Sequence, residues 1–293
     1  MDISVIICTH NRAEFLRKCL HSTLAQVAAP GVTWEIVVVA NGCTDATATV
    51  VGNAAAVSGA PLRLVEDPVA NLSHARNLGA IQARGDMLIF LDDDAQPAAD
   101  WLAAYGEQFR LRPEVEAGGG PIHLDWGNLA PPSYWRPEFD GTLAALSLDP
   151  AMDLFPAGQF PFGGNMFLSA GRFRLVGSFD CGLGMHGGQI GLGEETDWFL
   201  RHAASGGRIG YVPRAIVRHW VNPQKLTRTN LRRRAWHMGV AAARLHCAPR
   251  ETRGLARWAR HCLAGALRGR LDLSEQLYLL RWLGQLWGQR SEP

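Results

Sequence analysis

The chain has no CxxC pair and only six cysteines in 293 residues, Cys8, Cys19, Cys43, Cys181, Cys247 and Cys262, all far apart. This argues against a zinc ribbon or a disulfide framework and for reduced thiols in a cytosolic setting. No apolar run approaches the roughly 18 residues of a membrane span, and Met1 leads straight into ISVIIC without a charged leader or cleavage site. Neither export nor a spanning helix is expected, and the expected location is the cytoplasm. With 47% hydrophobic and 19% charged residues, the chain can bury the core of one large α/β domain, with or without an appendage. The net charge of +2 conceals an asymmetry: residues 1–220 carry 15 basic against 23 acidic side chains, whereas residues 221–293 carry 14 against 4. A second region with a different partner is expected from about Val221.

The stretch with the clearest chemistry is MLIFLDDDAQP, Met87 to Pro97. An uninterrupted apolar run, Met87 to Leu91, reads as a strand buried on both faces, and it ends in Asp92, Asp93 and Asp94. Three consecutive like charges repel, so an ordered fold should supply a cation, and oxygen ligands suit Mg²⁺ or Mn²⁺. Because Mg²⁺ takes few protein carboxylates and leaves positions for phosphate oxygens, a divalent ion holding a diphosphate is the first hypothesis. The alternative is a solvated acidic turn in which Asp94 or Asp100 caps the following helix.

Other segments converge on the same end of a sheet. Ile3 to Cys8 and Glu35 to Val39 are β-branched runs, followed by the polar turns THNR and ANGCTD and then by helical patterns, the first from Ala13 to Gln26. Strands alternating with helices imply a parallel sheet, whose ligands bind beyond the carboxyl ends of its strands. Thr44 or Asp45 is placed to cap the second helix. PLRLV from Pro61 reads as a further strand, and Ser73 to Asp86 as a helix carrying Arg76 and Asn77 near its start. Arg76 can hold phosphate or base, or be a surface arginine.

The Gly-, Pro- and Trp-rich stretch from Gly118 to Pro161 is expected to form irregular loops over the site. Gly163 and Gly164 permit close approach of backbone to a ligand, or serve packing, before Met166 to Leu168 resume a strand. Glu194, Glu195 and Asp197 precede the helix WFLRHAAS, where acids favour the helix dipole but can also supply a general base. His219 ends a late short strand; it is either structural or a further metal ligand.

In this order, ISVIICTHNR, EIVVVANGCTDAT, ARNLGAIQARGDMLIFLDDDA, FGGNMFLSAGRFRLVGSFD and GEETDWFLRHAASGGRIGYVPRAIVRH resemble the family 2 glycosyltransferases over about residues 2–220. The resemblance implies an A-type nucleotide-diphospho-sugar transferase fold: an α/β, Rossmann-like, mostly parallel sheet flanked by helices. A nucleotide-sugar half of about residues 1–117 would precede an acceptor half of about 118–220. It also implies metal-dependent, inverting transfer from a UDP, GDP or dTDP sugar to an acceptor hydroxyl, in glycan, polysaccharide or glycolipid synthesis.

By the same resemblance, Thr9, His10, Asn11 and Arg12 would touch nucleoside and diphosphate, and Asn41 and Arg76 would lie near the base. Asp92 would meet ribose or sugar hydroxyls, with Asp93, Gly164, Asn165 and Glu194 also on the donor. Asp94, with His219, would bind Mn²⁺ or Mg²⁺, and Glu195 would deprotonate the acceptor. Two positions depart from the family pattern: Ala40 replaces an acid that would meet a uracil ring, and Glu195 replaces the shorter Asp. These departures keep open a catalytically inactive sugar-nucleotide-binding scaffold. A sugar nucleotidyltransferase is disfavoured because ISVIICTHNR is not a Gly-rich, basic phosphate loop.

The region 221–293 is expected to be a basic helical appendage. Leu255, Trp258, Cys262, Ala266 and Leu267 share one face of a basic amphipathic helix, and Trp220, Trp236, Trp258, Trp282 and Trp287 add interfacial aromatics. It would lie on an anionic membrane at the inner face, or pack on the catalytic domain or on a second subunit in a homodimer, with no nucleic acid partner. Gln276 stands five residues before Arg281, so the Gln-x-x-Arg-Trp motif of processive synthases is absent and single-sugar transfer is favoured.

Overall fold

The computed structural model describes residues 1–185, 191–245 and 271–290. Its centre is a seven-stranded sheet in the order β3-β2-β1-β4-β8-β6-β9. The strands are β1 (Ile3–Thr9), β2 (Trp34–Asn41), β3 (Leu62–Asp67), β4 (Met87–Asp92), β6 (Ala117–Gly119), β8 (Asn165–Ser169) and β9 (Ile209–Tyr211). The first four run parallel, and β8 lies antiparallel between β4 and β6. A smaller sheet joins β5 (Ala95–Pro97), β10 (Val217–Trp220) and β7 (Ile122–Asp125) in the order β5-β10-β7.

The apolar runs are buried on both faces, as their lack of alternation requires. Ile3, Val5 and Ile7 pack with Leu16, Cys19 and Leu20 of α1 (Ala13–Leu24) and with Trp101 and Tyr105 of α4 (Trp101–Leu111). On the other face Ile6, Leu88 and Phe90 pack with Met166, Leu168, Phe179, and Trp198 and Phe199 of α6 (Glu194–Ala204). The remaining crossovers are α2 (Thr47–Val57) and α3 (Leu72–Gln82), and α5 (Ala170–Val176) follows β8. Register sets Thr9 beside Ala40, Asn41 beside Asp67, and Cys8 beside Asp92, so the polar turns finish at one edge of the sheet.

Three boundaries differ from the sequence reading. Helix α1 stops at Leu24, and Gln26 beyond it bonds through its side chain to Ala98 O and Leu102 N. Helix α3 starts at Leu72 because Asn71 caps it, its side chain accepting from His74 N. Helix α6 starts at Glu194, so its three acids lie in the first turn instead of before it. The stretch from Gly118 is also more ordered than its glycines suggest. A Cβ at Gly118 would fall 2.0 Å from Gly210 O, so this glycine serves the close approach of two strands and not a turn.

Chain contacts divide the protein into two units. One comprises Met1–Asp125, Ala144–Gly187 and Glu194–Trp220; the other comprises Trp126–Leu143, Gly188–Gly193 and Val221–Pro293. The second unit thus takes in a piece of the middle stretch as well as the basic tail. In it α7 (Arg228–Arg244) packs on α8 (Leu273–Arg290) at glycine contacts: a Cβ at Gly239 would meet Arg281 O, and one at Gly284 would meet Trp236 O. Phe139, Leu231, Ala235, Leu273 and Leu277 form its core. The basic amphipathic helix expected around Leu255 to Arg268 lies outside the described residues. Among the described residues no helix is long and apolar enough to cross a membrane.

Gly118→Ala should destabilise the fold by about 1–3 kcal/mol, the usual range for a methyl forced against fixed backbone. Urea unfolding of the variant beside the parent protein measures this.

Candidate active site

The triple Asp lies where β4 leaves the sheet. Asp94 is separated from the helix by β5, and Asp100, though it stands at the N-cap position of α4, makes no side-chain cap bond. The capping alternative for these acids is therefore set aside. Asp93 and Asp94 are 3% and 4% exposed, which makes their charge costly without a partner. The partner is Arg12, from the turn after the neighbouring strand β1. Its Nη1 donates to Asp93 Oδ1 and its Nη2 to Asp94 Oδ2, and Thr9 Oγ1 donates to Asp93 Oδ2 at 2.7 Å. Burial pushes the Asp93 carboxyl up, with Asp94 adding to the rise and Arg12 and Thr9 opposing it. The Arg12 guanidinium also lies 5.0 Å from the centre of the Phe15 ring, which itself meets Trp220 at 4.5 Å.

The smaller sheet returns His219 to this place. Its pairing with β5 sets His219 opposite Ala95, Trp220 N donates to Asp94 O, and His219 Nε2 stands 2.9 Å from Asp94 Oδ1. One ligand atom each from Asp92, Asp94 and His219 can be chosen so that all lie within 4.8 Å of one another. Two carboxylate oxygens and an imidazole nitrogen form a donor set that suits Mn²⁺ or Mg²⁺ and leaves room for phosphate oxygens. The residues present therefore fit a divalent ion.

The turns beside the triad are laced to each other. Asn11, at φ 51°, accepts Thr44 N through Oδ1 at 2.7 Å, and His10 Nδ1 lies against Asn41 O. Asn41 Oδ1 accepts Asn71 N. Asp45, expected to cap the second helix, accepts Thr47 N through Oδ1, while its Oδ2 accepts Ala13 N at the start of α1. Of the THNR turn, Thr9 and Arg12 face the triad, His10 is exposed, and Asn11 is occupied in holding the turn.

Three expected donor contacts are committed inside the fold. Asn165 is fully buried: its Nδ2 donates to Pro121 O and Ala215 O, and its Oδ1 accepts Trp101 Nε1 and Tyr105 OH. That side chain is saturated, which corrects its expected role on the donor. Gly164 approaches a protein group and not open space, since a Cβ there would lie 2.7 Å from Asp92 Oδ2. Arg76, expected near a base, is instead buried between Glu194 and Asp92, and Glu194 is its ion-pair partner.

Glu195 is half-buried in the first turn of α6. Burial raises its carboxyl to about 8, with adjacent Glu194 adding to the rise and Arg76 opposing it. A carboxylate near the working pH is suited to taking a proton from a hydroxyl. His202, on the same helix, serves structure: Nδ1 accepts from Arg172 Nε, Nε2 lies 3.1 Å from Arg208 O, and the ring stacks on Trp198. The counter-ion role of Arg12 was missed from the sequence; an arginine three residues beyond one parallel strand, beside a strand ending in acids, was the available signal.

An open α/β sheet with an acidic cluster, a late histidine and a carboxylate at the carboxyl edge is the arrangement of an A-type nucleotide-diphospho-sugar transferase. A solved structure, the mannosyltransferase PcManGT from Pyrobaculum calidifontis in complex with GDP-Man and Mn²⁺, shares this fold at TM-score 0.66 and 19% identity, over 99% of this chain and 88% of that one. Residues 4–144 match Glycosyl transferase family 2, and the chain belongs to that family. It is 28% identical to the succinoglycan biosynthesis protein ExoM of Rhizobium meliloti over 272 residues, 92% of this chain and 82% of the relative. It is 26% identical to the glucosyl-dolichyl phosphate glucuronosyltransferase of Haloferax volcanii over 222 residues, 75% of this chain and 69% of the relative. The protein is a glycosyltransferase that uses a sugar nucleotide.

Arg12→Ala takes the guanidinium away from two buried carboxylates and should cost about 3 kcal/mol, lowering the thermal midpoint by roughly 6–10 °C in a chelator. Added Mn²⁺ should recover most of that loss, which scanning fluorimetry with and without the ion reads directly.

Proposed function

We propose that the protein is a metal-dependent, inverting transferase that moves a single hexose-type sugar from a nucleoside-diphosphate donor to an acceptor hydroxyl. The observation that carries this reading is the pairing of a donor set, made of half-buried Asp92 with buried Asp94 and His219, with a half-buried Glu195 on α6 whose carboxyl is raised to about 8. A divalent ion held by Asp92, Asp94 and His219 would offset the charge that develops on the leaving diphosphate. Glu195 takes the proton from the acceptor oxygen as that oxygen attacks the anomeric carbon. The leaving group needs no protonated acid, so one carboxylate suffices and direct displacement inverts the centre. Arg12, 5.0 Å from Phe15 and partly exposed, keeps cationic charge at the mouth of the site for the diphosphate.

The two relatives, a succinoglycan biosynthesis protein and a glucosyl-dolichyl phosphate glucuronosyltransferase, support an acceptor on a polysaccharide or glycolipid. GDP-Man, bound by PcManGT, supports a nucleoside-diphosphate hexose as donor. Residues 221–293, with 14 basic against 4 acidic side chains, suit peripheral contact with an anionic membrane that presents such an acceptor. Flotation with anionic vesicles should carry the protein at low salt and release it at high salt; no association at either would remove the membrane from this reading.

Glu195→Gln should lower turnover by about 10²–10⁴-fold while the nucleotide sugar and Mn²⁺ still bind, measured by calorimetry and nucleoside diphosphate release. In the parent protein kcat/KM should rise with pH through a limb near 8, because Glu195 must lose its proton to act, and level off above it. Near-normal turnover by the variant would reject Glu195 as the base. Donor binding without any turnover by the parent protein would favour the scaffold.

A further inference from the structure

Arg76 is a buried cation with an acid on each side. It lies in α3, is 4% exposed, and reaches carboxylates on two other elements: Nη1 donates to Glu194 Oε1 in the first turn of α6, and Nη2 lies 3.5 Å from Asp92 Oδ1 at the end of β4. The backbone at Gly163 and Gly164 closes over these groups. A Cβ at Gly163 would fall 2.3 Å from Arg76 Nη2 and 2.7 Å from its Cζ, and one at Gly164 would fall 2.7 Å from Asp92 Oδ2. The paired glycines therefore hold a planar fork in a slot, a geometry that suits guanidinium and not a flexible ammonium. Burial works against the charge on Arg76, yet Glu194 and Asp92 outweigh it and raise the pKa of the guanidinium above its ordinary value.

Glu194 and Glu195 are consecutive in one helical turn. Two adjacent carboxylates in a site of low dielectric do not both ionise near neutral pH unless a cation offsets one of them. The charged groups that face Glu195 are Glu194 on its own helix and Arg76 from α3, with Asp92 of β4 on the other arm of the same guanidinium.

We propose that Arg76 is a positioning residue for Glu195: by pairing with Glu194 it lets the neighbouring carboxylate carry its own charge, and it ties that helical turn to the Asp92 end of the sheet. This rests on the reading of Glu195 as the base and assigns Glu194, expected on the donor, to the ionisation of its neighbour. Without Arg76 the two glutamates would share a proton more tightly, and the base would stay protonated to a higher pH than it does beside the guanidinium.

The test is the pH profile of kcat/KM. Arg76→Gln should move the acidic limb upward by about 1–2 pH units, so that the loss at pH 7 is roughly five- to ninefold greater than the loss at pH 9. Arg76→Lys, which keeps charge without the fork, should move it by less. The double variant Arg76→Gln/Glu194→Gln removes the cation together with the competing acid, leaves no unpaired charge on Glu194, and should return the limb close to its original position. An equal loss at every pH with the limb unmoved would indicate a merely structural role and overturn the proposal. So would a double variant whose limb stays where Arg76→Gln put it, or inactivity at every pH in the single Gln and double variants alike. Glu195→Gln keeps the two ideas apart. Near-normal turnover in that variant rejects the base itself, whereas an inactive Glu195→Gln beside an unmoved limb in Arg76→Gln rejects only the part given to Arg76.

Discussion

The carboxylates held out of water just beyond β4 depend on Arg12, Thr9 and His219 to offset their burial, and much of the site follows from that constraint. Asp93 and Asp94 are almost wholly buried, and like charges on neighbouring residues add repulsion to the loss of hydration. Arg12 spans both, which ties the turn after β1 to the end of β4. Arg76 does the same between Asp92 and Glu194, which ties α3 and α6 to the same strand. The cation that a run of three acids demands is thus partly supplied by the protein itself. A divalent ion at Asp94 would enter a site that already has an internal counter-ion, so its binding is an exchange of partners and not the filling of an uncompensated charge.

The folded core makes this arrangement geometrically possible. Because β4 is covered on both faces, its direction is set by packing, and its last residues emerge at a definite height beside Cys8 and Thr9. The smaller sheet fixes the other side: β10 pairs with β5 immediately after the triad, so His219 returns to Asp94 from far along the chain. Glycine does a related job at Gly163 and Gly164, where the missing side chains let backbone lie against Arg76 and Asp92. Each of these contacts joins elements that are distant in sequence.

The same network separates the chemical tasks. Asp92, Asp94 and His219 form an oxygen-rich donor set, while Glu195 sits among groups that raise its affinity for a proton. Carboxylates of one chemical type stand in different surroundings here: Asp94 lies beside the Arg12 guanidinium and the His219 imidazole, whereas Glu195, buried beside another acid, holds its proton to a higher pH.

The amino-acid sequence by itself determined the parallel strands, the crossover helices and the edge at which chemistry is placed. Those features depend on local patterns: β-branched apolar runs such as ISVIIC and MLIFL, three- and four-residue spacing in α1, and polar residues directly after each strand. Tertiary structure decided which polar side chains meet. It put Arg12 on Asp93 and Asp94, moved Arg76 from an expected base contact to a buried bridge, and spent Asn165 on the core. It also turned Gly118 from an apparent loop signal into a point of close approach between strands, and gave Gly163 the Arg76 guanidinium as its close neighbour. The physical reason is that propensity and periodicity act over a few residues, whereas the partner of a buried charge is chosen by strand register and by packing between segments that the chain brings together only when it folds.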